Sequence, residues 1–358
     1  MERFTVRTQI VSGADSLSYL GEMGISRLLL VADPYFVQNG WTDRVLQAAK
    51  KPESRVFDKV FPDPTVELAA EGTKLLQEFD PDTVVALGGG SAIDLAKAMV
   101  HFSGKRPTLV AIPTTSGSGS EVTNFTVLTH QGVKHPVVSE KLYPDVAILE
   151  EALLENLPKG LIAETGFDVL AHALESYVAR GASLVSQAMS REAFSLAYAH
   201  LPASFSGDKT VRRDLHMASC MAGIAFSQAG LGLCHAMAHV LGGEFHLSHG
   251  RLCAILLPWV VECNANFCPE GYGQLARSAG FFGTADTVAV RNLKNGLIRL
   301  RKQLALPGTL QEAGIDPRLV QYKQQELAQK ILEDPCCKDN PAEVADFMVK
   351  RILEGVAR

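Results

Sequence analysis

The chain has 358 residues, 47% of them hydrophobic and 20% charged, with a formal net charge of −5. That balance describes a globular protein long enough for two domains with separate cores, and it excludes a disordered chain. Mild acidity without a basic cluster excludes nucleic acid as an expected partner.

In chain order, Met1-Glu-Arg-Phe-Thr-Val6 lacks the apolar core of a signal peptide, so a cytoplasmic location is the expectation. Arg27–Ala32, Thr83–Leu87 and Thr108–Ile112 are short, uniformly apolar and rich in β-branched residues, which predicts buried parallel strands. Val66–Glu78 and Ala92–Phe102 read as helices between them, and strands alternating with helices indicate an α/β sheet with crossovers. The strand pattern stops at the turn-rich Asn156-Leu-Pro-Lys-Gly160. Beyond it, Leu161–Val178, Ser183–Leu201, Val211–Gln228 and Thr287–Leu306 are long and rich in Ala and Leu, as helices are. Gly230, Gly242-Gly243, Pro258 and Pro307 suit helix ends, and Asn340-Pro341 suits the opening of a last helix over 341–356. The richest apolar run, Cys253 to Val261, is shorter than the ~20 residues of a membrane span and contains a proline, so no membrane partner is expected. Seven cysteines, none in a Cys-x-x-Cys pair, build no disulfide framework and suit a reducing compartment. The expected architecture is an α/β nucleotide-type domain over residues 1–158 and an all-α domain over 159–358.

Two segments carry chemistry. Leu87-Gly-Gly-Gly-Ser91 joins a strand to a helix and places free backbone N–H groups where the helix dipole favours an anion. By itself such a turn can be purely structural. A second loop, Pro113-Thr-Thr-Ser-Gly-Ser-Gly-Ser-Glu121, follows the next strand and could wrap a pyrophosphate from the other side. Asp33 stands where a carboxylate can accept from an adenosine ribose 2′-hydroxyl and repel a 2′-phosphate, favouring NAD(H); it suits a helix N-cap before Pro34 equally well.

The second segment is a set of one carboxylate and four imidazoles. Asp168 and His172 are four apart on one predicted helix, His235 and His239 on another, and His249 follows the Gly242-Gly243 break. Four ligands from these five would hold Fe²⁺ or Zn²⁺, and spacing does not choose between the metals. Cys234 and Cys253 neighbour these histidines; either could supply a thiolate, with a buried inert thiol as the expectation.

Taken together, Gly88-Gly-Gly-Ser91, Pro113–Thr123, Gly166-Phe-Asp-Val-Leu-Ala-His-Ala-Leu-Glu175 and Gly230–His239 resemble, in order, the motifs of the iron-containing (group III) alcohol dehydrogenase family. Within it, Phe226–Gly230, Gly242–His249 and Asp334-Pro-Cys336 are most similar to the propanol dehydrogenases of propanediol-utilisation microcompartments. The resemblance implies a Rossmann-like domain and a helical metal-binding domain of dehydroquinate synthase-like layout. It implies NAD(H)- and Fe²⁺-dependent interconversion of short primary alcohols and aldehydes. Asp168, His172, His235 and His249 would hold the metal, and His239 would stay unligated near the nicotinamide. Asp33 and Asp63 would meet the adenosine end, Gly89, Gly90 and Ser91 the pyrophosphate, and Thr114, Thr115, Ser118, Val127 and Lys134 the nicotinamide half. A homodimer or larger assembly is implied, with microcompartment enzymes or shell as further partners. Glu150 departs from the family, which often has Asp after the strand Val146–Leu149. The rival readings are a glycerol dehydrogenase-like polyol enzyme, a dehydroquinate synthase-type lyase rich in cleft Lys and Arg, and a non-catalytic NAD-binding scaffold.

Overall fold

The computed structural model describes residues 4–131 and 133–358, the side chain of Val133 excepted. They form two compact units, Thr5–Leu157 and Pro158–Arg358, the second joined by Phe4.

The first unit contains strands β1 (Gln9–Gly13), β2 (Arg27–Ala32), β3 (Glu53–Phe57), β4 (Thr83–Gly88), β5 (Thr108–Pro113), β6 (Phe125–His130), β7 (Val133–Val138) and β8 (Val146–Glu150). Its helices are α1 (Pro34–Gln38), α2 (Trp41–Ala48), α3 (Val66–Phe79) and α4 (Gly90–Ser103). Six strands make one parallel sheet in the order β1-β8-β5-β4-β2-β3, and β6 pairs with β7 in an antiparallel hairpin. The three apolar runs read as strands are the central β2, β4 and β5. Their alternate side chains feed two cores. Leu29, Val31, Val84 and Ala86 pack on one face with Leu76, Ile93 and Met99, while Leu28, Leu30, Val85 and Leu87 pack on the other with Phe36 and Val45. A sheet covered on both faces needs apolar residues at every position, which explains the absence of alternation.

Strand order reverses between β2 and β4, because β2 is followed by β3 on one side and β4 lies on the other. At such a switch point the loops leaving the carboxyl ends diverge and open a crevice. Asp33 leaves β2 there, its N–H bonded to Leu87 O at 3.2 Å, and Thr114 N bonds Gly88 O at 3.1 Å where β5 ends. Glu150, at the end of β8, is buried and accepts from Ser16 Oγ and Leu17 N, so its carboxylate serves the fold.

The second unit is helical: α5 (Lys159–Val178), α6 (Leu184–Ser206), α7 (Arg212–Ala229), α8 (Leu233–Phe245), α9 (His249–Asn264), α10 (Pro269–Ser278), α11 (Asp286–Gln303), α12 (Pro317–Glu333) and α13 (Asp346–Ala357). Three expected helix boundaries differ. Pro258 lies inside α9, because the carbonyl that its missing N–H leaves unbonded, Ala254 O, accepts from Arg301 Nη1 at 3.3 Å. Gly242-Gly243 lie inside α8, which ends instead at His246 in a left-handed conformation. Asn340 opens no helix. Its side chain is fully buried against Asn264, and α13 begins at Asp346. No single helix among the described residues is long and apolar enough to cross a membrane.

A buried polar cluster ties the Pro113–Glu121 loop to α4. Lys97 has no exposed surface, and its Nζ donates to Ser120 Oγ, Thr123 O, Thr123 Oγ1 and Phe125 O at 2.9–3.1 Å. Asp94, one turn earlier, accepts from Ser120 Oγ and from Val127 N. Burial lowers Lys97 to about 8 against the opposing pull of Asp94, and burial raises Glu121 to about 7. An unfolded glutamate releases its proton near 4.5 and the folded Glu121 near 7. Folding therefore takes up a proton between these values, and stability falls as pH rises through that window. Urea unfolding at both ends of the window should show Glu121→Gln losing less stability than the wild type, by up to about 3 kcal/mol. Equal losses would mean that this carboxyl ionises normally.

Candidate metal and dinucleotide site

Three helices supply the polar cluster of the second unit, each by helical periodicity. On α5, Asp168, His172 and Glu175 share one face; α8 presents His235 and His239, and α9 presents His249 and Cys253. Gly250 lets α9 approach α5: a Cβ there would come within 2.1 Å of Glu164 O. The approach brings His249 Nε2 to 3.3 Å from Asp168 Oδ1. His235 Nε2 and His172 Nδ1 both stand 3.7 Å from the same oxygen. His172 stacks on Phe226 and on His235, with ring centroids 4.4 Å apart in both pairs. Among the described residues two groups of donor atoms lie within 4.8 Å of one another, Asp168, His235, His249 and Cys253 in one and His239, Asp334 and Cys336 in the other; His172 stands outside both.

One residue that the sequence reading left without a role orients the set. Glu175 Oε2 accepts from His235 Nδ1 at 2.6 Å. A carboxylate can only accept, so Nδ1 carries a hydrogen and Nε2 is the nitrogen turned towards Asp168. Nε2 is buried and has no hydrogen-bond partner, which is the state of a nitrogen prepared for a cation. Glu175 also accepts from Gly232 N and Cys234 N at 3.1 and 2.6 Å, while Asn340 Oδ1 accepts from Leu233 N at 3.1 Å. The first N–H groups of α8 are thereby satisfied although no local side chain caps it.

Electrostatics follows from packing one carboxylate among imidazoles. Burial pushes the Asp168 carboxyl up, but His172, His249 and His235 together hold it well below the usual range. Burial opposes the charged form of His235, yet Asp168 and Glu175 hold its imidazole well above the ordinary value. A cluster that gathers positive charge around a buried carboxylate suits a divalent cation, which takes the place of protons. Oxygen, imidazole and thiol donors at these separations fit Fe²⁺ or Zn²⁺.

His239 is set apart. Its Nδ1 lies 3.0 Å from Asp334 Oδ2, its side chain is 35% exposed, and its ring stacks on His249 at 5.4 Å. Burial and the neighbouring imidazoles lower it, against the pull of Asp334, so the ring is neutral near pH 7 with an unprotonated Nε2.

In the first unit, Thr115 and Ser118 close on the glycines after β4. A Cβ on Gly90 would stand 3.0 Å from Ser118 Oγ, and one on Gly89 would stand 3.4 Å from Thr115 Oγ1. No side chain caps α4, so its first N–H groups, at Gly90 and Ser91, stand beside the Thr115 and Ser118 hydroxyls, an arrangement of the kind that holds a phosphate. Thr114 is buried beside them. Asp33 realises the N-cap alternative: its Oδ1 accepts from Tyr35 N at 2.9 Å, at the switch point beside Gly88. Asp63, in a left-handed conformation with φ 57°, pairs instead with Lys134 Nζ at 2.6 Å. Val127 spends its backbone N–H on Asp94.

Residues 7–151 match the iron-containing alcohol dehydrogenase family and residues 162–356 the C-terminal part of the Fe-containing alcohol dehydrogenase family. The chain belongs to the iron-containing alcohol dehydrogenase family, whose members are oxidoreductases that interconvert alcohols and aldehydes. It is 36% identical to the 1-propanol dehydrogenase PduQ of Citrobacter freundii over 99% of both chains. It is 35% identical to the NADPH-dependent butanol dehydrogenase of Clostridium saccharobutylicum over 99% of this chain and 98% of the relative. Among solved structures, the iron-containing alcohol dehydrogenase of Thermococcus thioreducens superposes with a TM-score of 0.92 at 33% identity over 99% of both chains. The sulfoacetaldehyde reductase of Bifidobacterium kashiwanohense, solved with NAD⁺, gives 0.90 at 26% identity over 100% of this chain and 99% of that one.

Glu175→Gln tests the orienting contact. An amide N–H facing Nδ1 moves the ring hydrogen to Nε2, where it blocks the cation. Chelator competition should show metal affinity reduced about 10–100-fold with helical content unchanged. Unaltered affinity would mean that Glu175 serves only as a helix cap.

Proposed function

We propose that this protein is a metal-dependent, NAD(H)-linked alcohol dehydrogenase that interconverts short primary alcohols and aldehydes, in the manner of propanol and propionaldehyde. The observation that carries this reading is the convergence of buried Asp168 and His235 with half-buried His249, His235 being oriented by Glu175. Asp168, His172, His235 and His249 are the proposed holders of Fe²⁺, with Zn²⁺ as the alternative. When bound, the metal supplies a Lewis acid for the substrate oxygen and the nicotinamide supplies or accepts the hydride. The chain's own task is to position the two groups, exclude water and move one proton. Asp334 holds the Nδ1 hydrogen of His239, which leaves Nε2 free to accept the alcohol proton or, once charged, to return it. Phe226, stacked on His172, keeps one side of the cluster apolar.

For the dinucleotide, Gly89, Gly90, Ser91, Thr114, Thr115 and Ser118 are the proposed pyrophosphate and nicotinamide contacts. Asp63, Val127 and Lys134 remain proposed contacts farther along the cofactor. Asp33 at the β2–β4 switch point supports NAD(H) over NADP(H), since a carboxylate there repels a 2′-phosphate. A polyanionic substrate of the dehydroquinate synthase type is disfavoured, because Arg251 is already engaged by Glu164 at 2.7 Å. A homodimer or larger assembly, and association with microcompartment enzymes or shell, belong to the same proposal. They draw on the full-length likeness to PduQ, and light scattering and co-purification with shell proteins check them.

Aldehyde-dependent NADH oxidation, measured on metal-free protein and after loading with Fe²⁺ or Zn²⁺, tests the reading. Activity with propionaldehyde should appear only on loading, and its absence with every short aldehyde would favour a scaffold role. His239→Ala should keep its metal and lose about a hundredfold or more in turnover, while His249→Ala should lose metal. The opposite pattern would exchange their roles. Asp33→Ser should shift the NADPH-to-NADH preference towards NADPH by roughly tenfold, the scale of removing one nearby charge repulsion. An unchanged ratio would confine Asp33 to capping α1.

A further inference from the structure

Lys97 is a fully buried cation that the reaction described above does not use. It lies on α4, about two turns after Gly90. Its Nζ donates to Ser120 Oγ at 3.1 Å, Thr123 O at 2.9 Å, Thr123 Oγ1 at 3.0 Å and Phe125 O at 2.9 Å. An ammonium brings three N–H groups to these acceptors, whereas a neutral amine brings two and presents a lone pair to the rest. Ser120 is the joint of the cluster. Its Oγ accepts from Lys97 and donates to Asp94 Oδ1, which fixes the rotor, and its backbone N–H donates to Ser118 Oγ at 3.3 Å. With its oxygen engaged by that N–H, the half-buried Ser118 keeps its own hydrogen to give. The hydroxyl stands beside the glycine turn, since a Cβ on Gly90 would come to 3.0 Å from it. Asp94 secures the far side of the segment by accepting from Val127 N at 2.9 Å. A hydroxyl donor held beside the uncapped start of α4 is what an anion requires there.

We propose that Lys97 is a positioning residue for the dinucleotide: through Ser120 it holds the Ser118 hydroxyl as a donor to the pyrophosphate, and its positive charge thereby sets the affinity for NAD(H). The proposal rests on the reading of Gly89, Gly90, Ser91 and Ser118 as cofactor contacts and adds a residue too deeply buried to touch the cofactor itself. Among the described residues the charged groups acting on Lys97 are Asp94, from its own helix, and Glu121, from the segment after β5. The Phe125 ring lies 5.8 Å from Nζ, and Lys134 bears on Asp94 in turn. Burial lowers Lys97 to about 8 against the pull of both carboxylates. Its charge is therefore lost as pH rises through that value, and dinucleotide affinity falls with it.

Titration of the metal-loaded protein with NADH, read by nucleotide fluorescence, tests this. The wild-type Kd should rise severalfold from about pH 7 to about pH 9, on either side of the Lys97 value. Ser120→Ala, which keeps the backbone N–H but removes the joint, should raise Kd at the lower pH by about tenfold, the scale of one disturbed buried hydrogen bond. Lys97→Met should do the same and abolish the pH dependence, while kcat at saturating NADH holds, as expected when only ground-state binding is lost. Combining Lys97→Met with Ser118→Ala should cost no more than the larger single loss, because both act through one donor. A wild-type Kd that ignores pH over this range, or additive losses in the double variant, would overturn the proposal and leave the dinucleotide site standing. An unchanged Kd in Ser120→Ala would overturn it equally, whether or not Lys97→Met folds. Wild-type protein that binds no NADH at either pH would remove the dinucleotide reading and this proposal together.

Discussion

A buried carboxylate at the start of α8 holds the rest of the helical unit in order. Glu175 comes from α5, yet its two oxygens receive the N–H groups of Gly232 and Cys234 and the Nδ1 hydrogen of His235. Helix starts leave backbone donors without partners, and a buried start must find them elsewhere. Here the same side chain that satisfies them also selects the His235 tautomer. Helix capping and the orientation of His235 are therefore one interaction, and neither can be altered alone. Asn340 completes the arrangement from the far end of the chain, bonding Leu233 N and pairing with Asn264.

The dinucleotide-type unit reaches its site by a different constraint. Parallel strands deliver every loop to one end of the sheet, and a reversal of strand order spreads those loops apart. Asp33, Gly89–Ser91 and Thr114–Ser118 meet there because β2, β4 and β5 are neighbours, not because they are close in sequence. Lys97 and Asp94 then fasten the 118–127 segment to the helix whose N-terminus the glycines expose. A fully buried lysine is tolerated because four acceptors and a nearby carboxylate compensate for its lost hydration.

Much of this was legible in the chain. Runs such as Thr83–Leu87 declare buried strands because both faces of a parallel sheet exclude water, so no polar residue interrupts them. Pairs such as Asp168/His172 and His235/His239 declare shared helical faces because four residues make about one turn. The same spacing could not say which carboxylate each imidazole would engage. His239 leaves the same helix as His235, yet Asp334, distant in sequence, draws its Nδ1 away. Pro258 and Asn340 misled for a comparable reason: Arg301 covers the carbonyl freed by the proline, and Asn264 claims the asparagine.

The amino-acid sequence by itself determined the two-part organisation, the central strands, the glycine turn and the residue types that gather in the polar cluster of the helical unit. Those properties depend on hydrophobic period and on backbone freedom, which act over a few residues. Only the tertiary structure decided that Glu175 orients His235, that Asp334 sets His239 apart and that Cys253 stands beside Asp168 and His249. Contacts of 2.6, 3.0 and 3.8 Å join Glu175 to His235, Asp334 to His239 and Cys253 to Asp168 across 60, 95 and 85 positions, and no local pattern encodes that closure.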